Sequence, residues 1–339
     1  MSARQTIIPV FVPHVGCPND CVFCNQRRIS GALRPVSPEQ VSAAIRQGAA
    51  LTPSGVERQL AFYGGSFTAI PAKAQEALLE AAQPFLRDGT LASIRLSTRP
   101  DAIDEETLLR LRRYGVQTIE LGAQSMDEAV LARAGRGHTA QDVVDASGLV
   151  KDFGFTLILQ MMTGLPGDED GHASIETAKR IAQLHPDGVR IYPTVIVRDT
   201  ALYDDWQAGR YREHTVENAV EVCSRIVPIF DEAGIPIIRL GLNPTEDLSH
   251  GDAAGGAYHP ALGELVRSRI LLNRARTLLA GTQPGADAVI YVGKGKTSQM
   301  VGQHRCNLTV LQQEFSLHSL KVRETLEKTD EIFLQFIAK

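Results

Sequence analysis

Three cysteines, Cys17, Cys21 and Cys24, fall within eight residues in the spacing C-x3-C-x2-C. They follow a short apolar run, Ile7-Ile8-Pro9-Val10-Phe11-Val12. Thiolates this close together can converge on one metal centre. A structural zinc ion takes four ligands, and His14, three residues before Cys17, would complete a Cys3His set. An iron–sulfur cluster ordinarily takes four thiolates. Held by three, a [4Fe–4S] cluster keeps one iron open to another ligand. Local spacing admits both centres. A disulfide framework fits poorly: the five cysteines are an odd number, and Met1-Ser2-Ala3-Arg4-Gln5 has no secretory pattern.

The elements around these thiols belong to an ordinary globular chain, with 43% apolar and 22% charged residues. Its 339 residues suffice for one large domain and a small one. No apolar run approaches the ~18–20 residues that a membrane-spanning helix needs. We therefore expect a cytoplasmic protein without a membrane partner, in a reducing compartment where thiolates persist. The formal charge of −4 neither demands nor forbids a nucleic-acid partner.

Ser37, Pro38 and Gln40 form a capping box ahead of Val41, Ala44 and Ile45, which opens a helix. Strands are expected at Glu57–Tyr63, Ser93–Ser97, Thr118–Leu121, Phe155–Met161, Gly188–Tyr192 and Pro236–Leu240. Helices fall between them, over about 71–86, from Asp104 to Gly115, over about 126–133, 140–153, 173–184 and 215–233. Strand and helix alternate with a period of about 30 residues, which argues for a parallel sheet with right-handed crossovers. Counting from Ile7, six or seven strands suit a barrel or a partial one. Chemistry in such folds sits at the C-terminal ends of the strands. Here those ends carry the cysteine loop, Gly64-Gly65, Ser97 and Arg99, Gln124, Gln160 and Tyr192. Any one of them alone reads as a turn residue; six successive ends with the same pattern read as one mouth.

These residues together resemble the radical SAM superfamily, whose three cysteines hold a [4Fe–4S] cluster with S-adenosylmethionine (SAM) on the open iron. More narrowly, the chain resembles the catalytic subunit of Elongator and its shorter bacterial relatives. Three stretches carry that likeness: Ser97-Thr98-Arg99-Pro100-Asp101; Glu120-Leu121-Gly122-Ala123-Gln124-Ser125 with Arg136-Gly137-His138-Thr139; and Tyr192-Pro193-Thr194 with Arg198-Asp199-Thr200 and Leu202-Tyr203. The resemblance implies a (β/α)6-type partial TIM barrel over residues 1–245 and a small C-terminal α+β domain over 246–339. It implies that Cys17, Cys21 and Cys24 hold the cluster. Gly64, Gly65 and Ser66 take the place of the family's Gly-Gly-Glu turn, which receives the methionine amino group, with Ser66 replacing the acid. Gln124 and Gln160 would reach the ribose hydroxyls, and Arg136 the methionine carboxylate, a contact that suits a guanidinium. Ser97 stands where relatives carry an acid. Tyr192 or Arg99 would face substrate. A one-electron donor of the flavodoxin or ferredoxin type is implied as well. The Elongator subunit continues into an acetyltransferase domain, for which the residues after 245 are too few, so acetyl transfer is not carried over.

Residues 242–257, rich in Gly, Asp, Asn and Ser, read as a connecting loop. Ala261–Leu279 reads as an amphipathic helix whose Arg267, Arg269, Arg274 and Arg276 form a solvated face. His259 reads as a helix-start or packing residue. A strand at Ala288–Val292, a helix, the loop Gly302-Gln303-His304-Arg305, a second helix and a strand at Leu317–Arg323 resemble a KH-type RNA-binding module. No Asp or Glu occurs from Ala288 to Gln313, so Lys294, Lys296 and Arg305 make the local field positive. The alternative is a small α+β lid on the barrel. The expected function is reductive SAM cleavage followed by modification of an RNA base, tRNA included. The other readings are the same chemistry on a small metabolite, and a non-enzymatic zinc-stabilised RNA-binding protein.

Overall fold

The capping box forms as its residues dictate. In the structure, a computed structural model describing residues 5–12, 17, 21–24, 35–242, 253–327, 329 and 331–337, Ser37 Oγ accepts from Gln40 N, and Gln40 Oε1 accepts from Ser37 N at 2.8 Å. They open α1 (Pro38–Leu51), which follows β1 (Gln5–Val12) and leads to β2 (Glu57–Gly64). The chain continues through α2 (Ala72–Glu80), α3 (Gln83–Arg87), β3 (Ser93–Thr98), α4 (Glu105–Arg113), β4 (Val116–Gln124), α5 (Glu128–Arg133) and α6 (Ala140–Asp152). After these come β5 (Thr156–Thr163), α7 (His172–Gln183), β6 (Gly188–Pro193), β7 (Val195–Val197), α8 (Ala201–Gln207), α9 (Val216–Glu232) and β8 (Ile237–Leu240). The expected helix at 71–86 divides in two because Pro84 starts the second piece.

The main sheet has seven strands in the order β1-β2-β3-β4-β5-β6-β8, every neighbouring pair parallel. Parallel strands are covered on both faces, and Leu60, Ile94, Leu96, Ile119, Leu157 and Ile191 are accordingly sealed from solvent. This is the partial barrel expected from the sequence, with β8 as its seventh strand. A short antiparallel pair joins β7 to β9 (Ala253–Gly256), inside the stretch expected to be a loop. Gly256 permits this pairing, with φ of 88° and room where a Cβ would lie 2.7 Å from Thr194 O.

By its contacts the chain divides into two compact units, residues 1–215 with 229–258, and residues 216–228 with 259–339. The pairing of β9 with β7 carries the first unit past residue 245, to Tyr258. The second unit contains α10 (Leu262–Leu279), β10 (Asp287–Val292), α11 (Thr297–Val301), α12 (Cys306–Glu314), β11 (Ser319–Glu324) and β12 (Ile332–Ile337). Its sheet runs β11-β10-β12, with β10 parallel to β11 and antiparallel to β12. On α10 the arginines are not merely solvated: Arg269 pairs with Glu217 and Glu221, and Arg276 with Glu314 at 2.9 Å. Among the described residues no helix is long and apolar enough to cross a membrane.

Charged residues interrupt three inner strands, each between two buried apolar neighbours: Arg95 on β3, Glu120 on β4 and Arg190 on β6. Alternation turns all three to the same face. Glu120, wholly buried, lies 3.0 Å from Arg95 Nε and 2.9 Å from Arg190 Nε. Both Nε atoms sit off the hydrogen-bond direction, so these contacts are chiefly ionic, while Arg190 NH2 donates properly at 3.2 Å. Tyr63 Oη and Gln160 Nε2 also donate to this carboxylate, at 3.3 and 3.0 Å. Burial and the Glu120 charge push the Tyr63 phenol up to about 12. Removing Glu120 would strand two guanidiniums, so Glu120→Ala should destabilise the fold by about 3–5 kcal/mol in urea unfolding. A loss under about 1 kcal/mol, the worth of an exposed pair, would contradict the arrangement.

The end of β5 is tied down by His214. Its Nε2 lies 3.1 Å from Thr163 Oγ1, and its ring fills the space over Gly164 that a Cβ would need. Burial lowers the His214 pKa to about 4 from an ordinary 6.5. The folded state therefore binds this proton more weakly than the unfolded state, so stability is full above about pH 6.5 and falls as the pH drops toward 4. His214→Asn should flatten that decline by up to about 1.4 kcal/mol per pH unit, read from urea unfolding at pH 7 and pH 5. An unchanged slope would contradict this.

Candidate SAM and cluster site

The turn Cys21–Cys24 closes with a bond from Cys24 N to Cys21 O at 2.9 Å. Neighbouring backbone fixes it: Val22 N donates to Ala134 O at 3.1 Å, and Leu202 N donates to Val22 O at 2.8 Å. Phe23 packs against Val130, Ala134 and Leu165. The ends of α5 and α8 thus hold a turn that is too short to build a core of its own. Cys21 is buried; Cys17 and Cys24 are half-buried. All three line one cavity of about 170 Å³ at the C-terminal rim of the sheet. His14 lies outside the described residues. Among those described, no three His, Cys, Asp or Glu side chains are placed to hold a metal ion.

Gly64, Gly65, Ser97, Arg99, Gln124, Arg136 and Gln160 line the same cavity. The sheet curls so that five successive strand ends reach it. Gly64 sits at φ of 103°, and a Cβ there would lie 2.5 Å from Val12 O; beside it Gly65 N donates to Val12 O at 3.0 Å. A Cβ on Gly122 would lie 2.9 Å from Gln124 Nε2. Gly64 is therefore required by close approach of backbone at the cavity wall, whereas at Gly122 the Gln124 side chain would have to move aside.

Gln124 ends β4 beside a bulge in the pairing with β5 and holds a left-handed φ of 62°. A glutamine gains nothing locally from that conformation, which costs about 1 kcal/mol or more. Among the described residues its Oε1 is buried without a partner. The same holds for Arg99 NH1. Elsewhere Arg99 is fully engaged: Nε and NH2 grip the two Asp101 oxygens at 2.8 Å, and NH2 also donates to Arg136 O at 2.7 Å. Arg136 donates to Gly122 O at 2.7 Å and reaches Cys21 Sγ at 3.3 Å. Burial pushes the Cys17 thiol up, and the Arg99 and Arg136 charges oppose it. His138 donates from Nε2 to Ala123 O at 3.1 Å; burial and then Arg136 lower its pKa to about 4, so it is neutral at pH 7. Soft thiol donors, two buried cations and two orphaned polar atoms fit a thiolate-held cluster with a polar ligand beside it.

Ser66 does not line the cavity: its hydroxyl bonds Thr98 Oγ1 at 2.8 Å and accepts from Arg99 N at 3.1 Å, which ties the end of β2 to the end of β3. Arg99, expected to face substrate, lies in the wall of the thiol cavity, gripped by Asp101. Tyr192 lines an adjoining cavity of about 250 Å³, mostly apolar, with Met162, Val195 and Val197. Phe23, Cys24, Gly64, Gln124 and Gln160 border both cavities. Sequence reading missed Glu120 and its two arginines as a unit. The signal was present, since a charge flanked on both sides by apolar strand residues points into a sealed interior. Lys294, Lys296 and Arg305 belong to the second unit, where the loop Gly302–Arg305 joins α11 to α12. His304 and Arg305 there hold left-handed φ of 51° and 62°.

Residues 11–178 match the radical SAM superfamily, and residues 186–271 match the radical SAM C-terminal domain. Elongator complex protein 3 of Mus musculus is 32% identical over 180 residues, 52% of this chain and 32% of the mouse protein. The tRNA uridine(34) acetyltransferase of Methanocaldococcus jannaschii is 33% identical over 132 residues, 38% of this chain and 24% of that protein. The chain thus spans about a third or less of the length of these relatives. Among solved structures, archaeal Elp3 of Methanocaldococcus infernus with an N-terminal deletion superposes with a TM-score of 0.60 at 24% identity, over 80% of this chain and 63% of that one. SuiB of Streptococcus suis superposes with a TM-score of 0.52 at 12% identity, over 74% and 52%. Both structural likenesses show a shared fold. With the superfamily match running from β1 into α7, and its C-terminal domain continuing from before β6 into α10, the chain belongs to the radical SAM superfamily of enzymes.

Proposed function

We propose that this chain cleaves SAM at the thiol cavity and uses the product to modify an RNA base, with tRNA the leading source. The observation that carries the first part is the meeting of three thiols with two orphaned polar atoms, Gln124 Oε1 and Arg99 NH1, around one cavity. Cys17, Cys21 and Cys24 would hold a [4Fe–4S] cluster, which would supply the one electron that splits the S–C5′ bond of SAM into methionine and a 5′-deoxyadenosyl radical. The chain's own residues hold that substrate. Gln124 Oε1 accepts from a ribose hydroxyl, and Gln160, its amide nitrogen anchored by Glu120, presents its carbonyl to the other. Arg99 NH1 and Arg136 meet the methionine carboxylate, and the backbone at Gly64-Gly65 receives the amino group. Arg136 also keeps Cys21 in place. A flavodoxin- or ferredoxin-type donor delivers the electron.

RNA is supported by the relatives at about one-third identity, one of which is a tRNA uridine(34) acetyltransferase. It is also supported by the positive stretch of Lys294, Lys296 and Arg305 on a β-α-loop-α-β arrangement. The adjoining cavity of about 250 Å³, with Tyr192 in its wall, is large enough for a flat ring.

The test compares RNA nucleosides by mass spectrometry in cells with and without the protein. One nucleoside should change mass. No change in any RNA, together with 5′-deoxyadenosine release indifferent to bulk tRNA, would move the substrate to small metabolites. Cys21→Ala, purified anaerobically and reconstituted, should lack the broad visible absorption while unfolding like the parent; retained colour would contradict the ligand set. Gln124→Gly should cost no stability, because glycine adopts φ of 62° without strain, yet should weaken SAM binding about tenfold through one lost hydrogen bond. Unaltered SAM affinity would remove Gln124 from the site.

A further inference from the structure

The three-stranded sheet of the second unit turns one face into the unit's core; on its outer face β11 and β12 are exposed, while on the central strand Val289 is 3% exposed and Tyr291 half-buried. Ala288, Ile290 and Val292 of β10, Leu320 and Val322 of β11, and Ile332 and Leu334 of β12 pack into the unit's core. Strand alternation turns their neighbours to the other side. In register there, Arg323, Tyr291 and Phe333 form one row across the strands, and Lys321, Val289 and Gln335 form the next. Phe333 is 51% exposed, and Lys321 and Arg323 are exposed beside it. Tyr291 Oη donates to Gln335 Oε1 at 2.9 Å, which fixes the phenol end of that ring to the next row. Among the described residues, the side chains of Lys321 and Arg323 make no ion pair or hydrogen bond. Of the nearby acids, Asp287 is held by His318 Nδ1 at 2.8 Å and by the Ser319 hydroxyl, and Glu331 is exposed two residues before Phe333.

Two adjacent aromatic rings with two unpaired cations in neighbouring registers are an uncommon surface. An apolar protein contact would not need the cations, and a solvated sheet face would not need the aromatic residues. Bases stack on exposed aromatic side chains while phosphates run along Lys and Arg, which is how sheets bind unpaired strands. We propose that this outer face, with Phe333 and the exposed edge of Tyr291 as stacking rings and Lys321 and Arg323 as phosphate contacts, binds single-stranded RNA. The site shares no residue with the Gly302–Arg305 loop or with the barrel cavities. It rests on the reading that the chain acts on RNA, and adds that the strand is presented unpaired.

The test uses the full chain and fluorescein-labelled decauridylate and decaadenylate, followed by anisotropy across a salt series. Phe333→Ala and Tyr291→Ala should each weaken binding at least about fivefold without changing the slope of log affinity against log salt. Lys321→Ala and Arg323→Ala should each lower that slope by about 0.7. Phe333→Tyr, which keeps the ring, should bind like the parent and so separates stacking from misfolding. Parent-like binding by the alanine variants, with loss in Lys296→Glu plus Arg305→Glu, overturns the platform and leaves the RNA reading standing. Binding lost in the ring variants while cellular nucleosides are unaffected by deletion of the protein supports the platform and removes the base-modification reading. No oligonucleotide binding at low salt, tighter binding of a duplex, or a dimer in sedimentation that Phe333→Glu makes monomeric overturns the proposal.

Discussion

Parallel strands joined by crossovers all end on the same rim, and this polarity governs the rest of the molecule. The rim receives β1 through β5 one after another, so residues far apart in sequence, from Cys17 to Gln160, line one cavity. Backbone must come close there for the rim to close. Gly64 allows it, at a place where a Cβ would meet Val12 O. Strain collects at the same place, in Gln124, where the scaffold over-determines an unfavourable backbone.

Beneath the rim lies a different solution to the same problem. Glu120 is sealed from water between two arginines, with Tyr63 and Gln160 completing its shell. Such a cluster adds little net stability over an apolar filling, but breaking it is expensive. Its use is positional: Gln160 cannot turn freely while its amide is bonded to Glu120. The wall of the thiol cavity is therefore connected to the barrel's interior charges through one side chain.

Much of this was legible in the chain itself. The cysteine spacing, the capping box at Ser37 and the alternation of strands and helices led to the partial barrel, because each is a local pattern with a local cause. Most of the rim residues could be placed in the same way, since they stand at strand ends. Ser66 could not. Its position fits the pattern, yet whether a side chain turns into a cavity or behind it depends on partners such as Thr98. Ala253–Gly256 reads as loop because small residues carry no strand signal, while their smallness is what lets them pair with β7. Ile332–Ile337 is almost continuously apolar and shows no alternation, so the face it completes was hidden from sequence reading.

The central claim is that three thiols hold an iron–sulfur cluster with one iron left for SAM. Electron paramagnetic resonance of the anaerobically reconstituted, dithionite-reduced protein tests it directly. The account predicts about four irons per chain and a reduced-cluster signal whose g-values shift when SAM is added. A signal indifferent to SAM, or a colourless chain carrying one zinc ion, would contradict it.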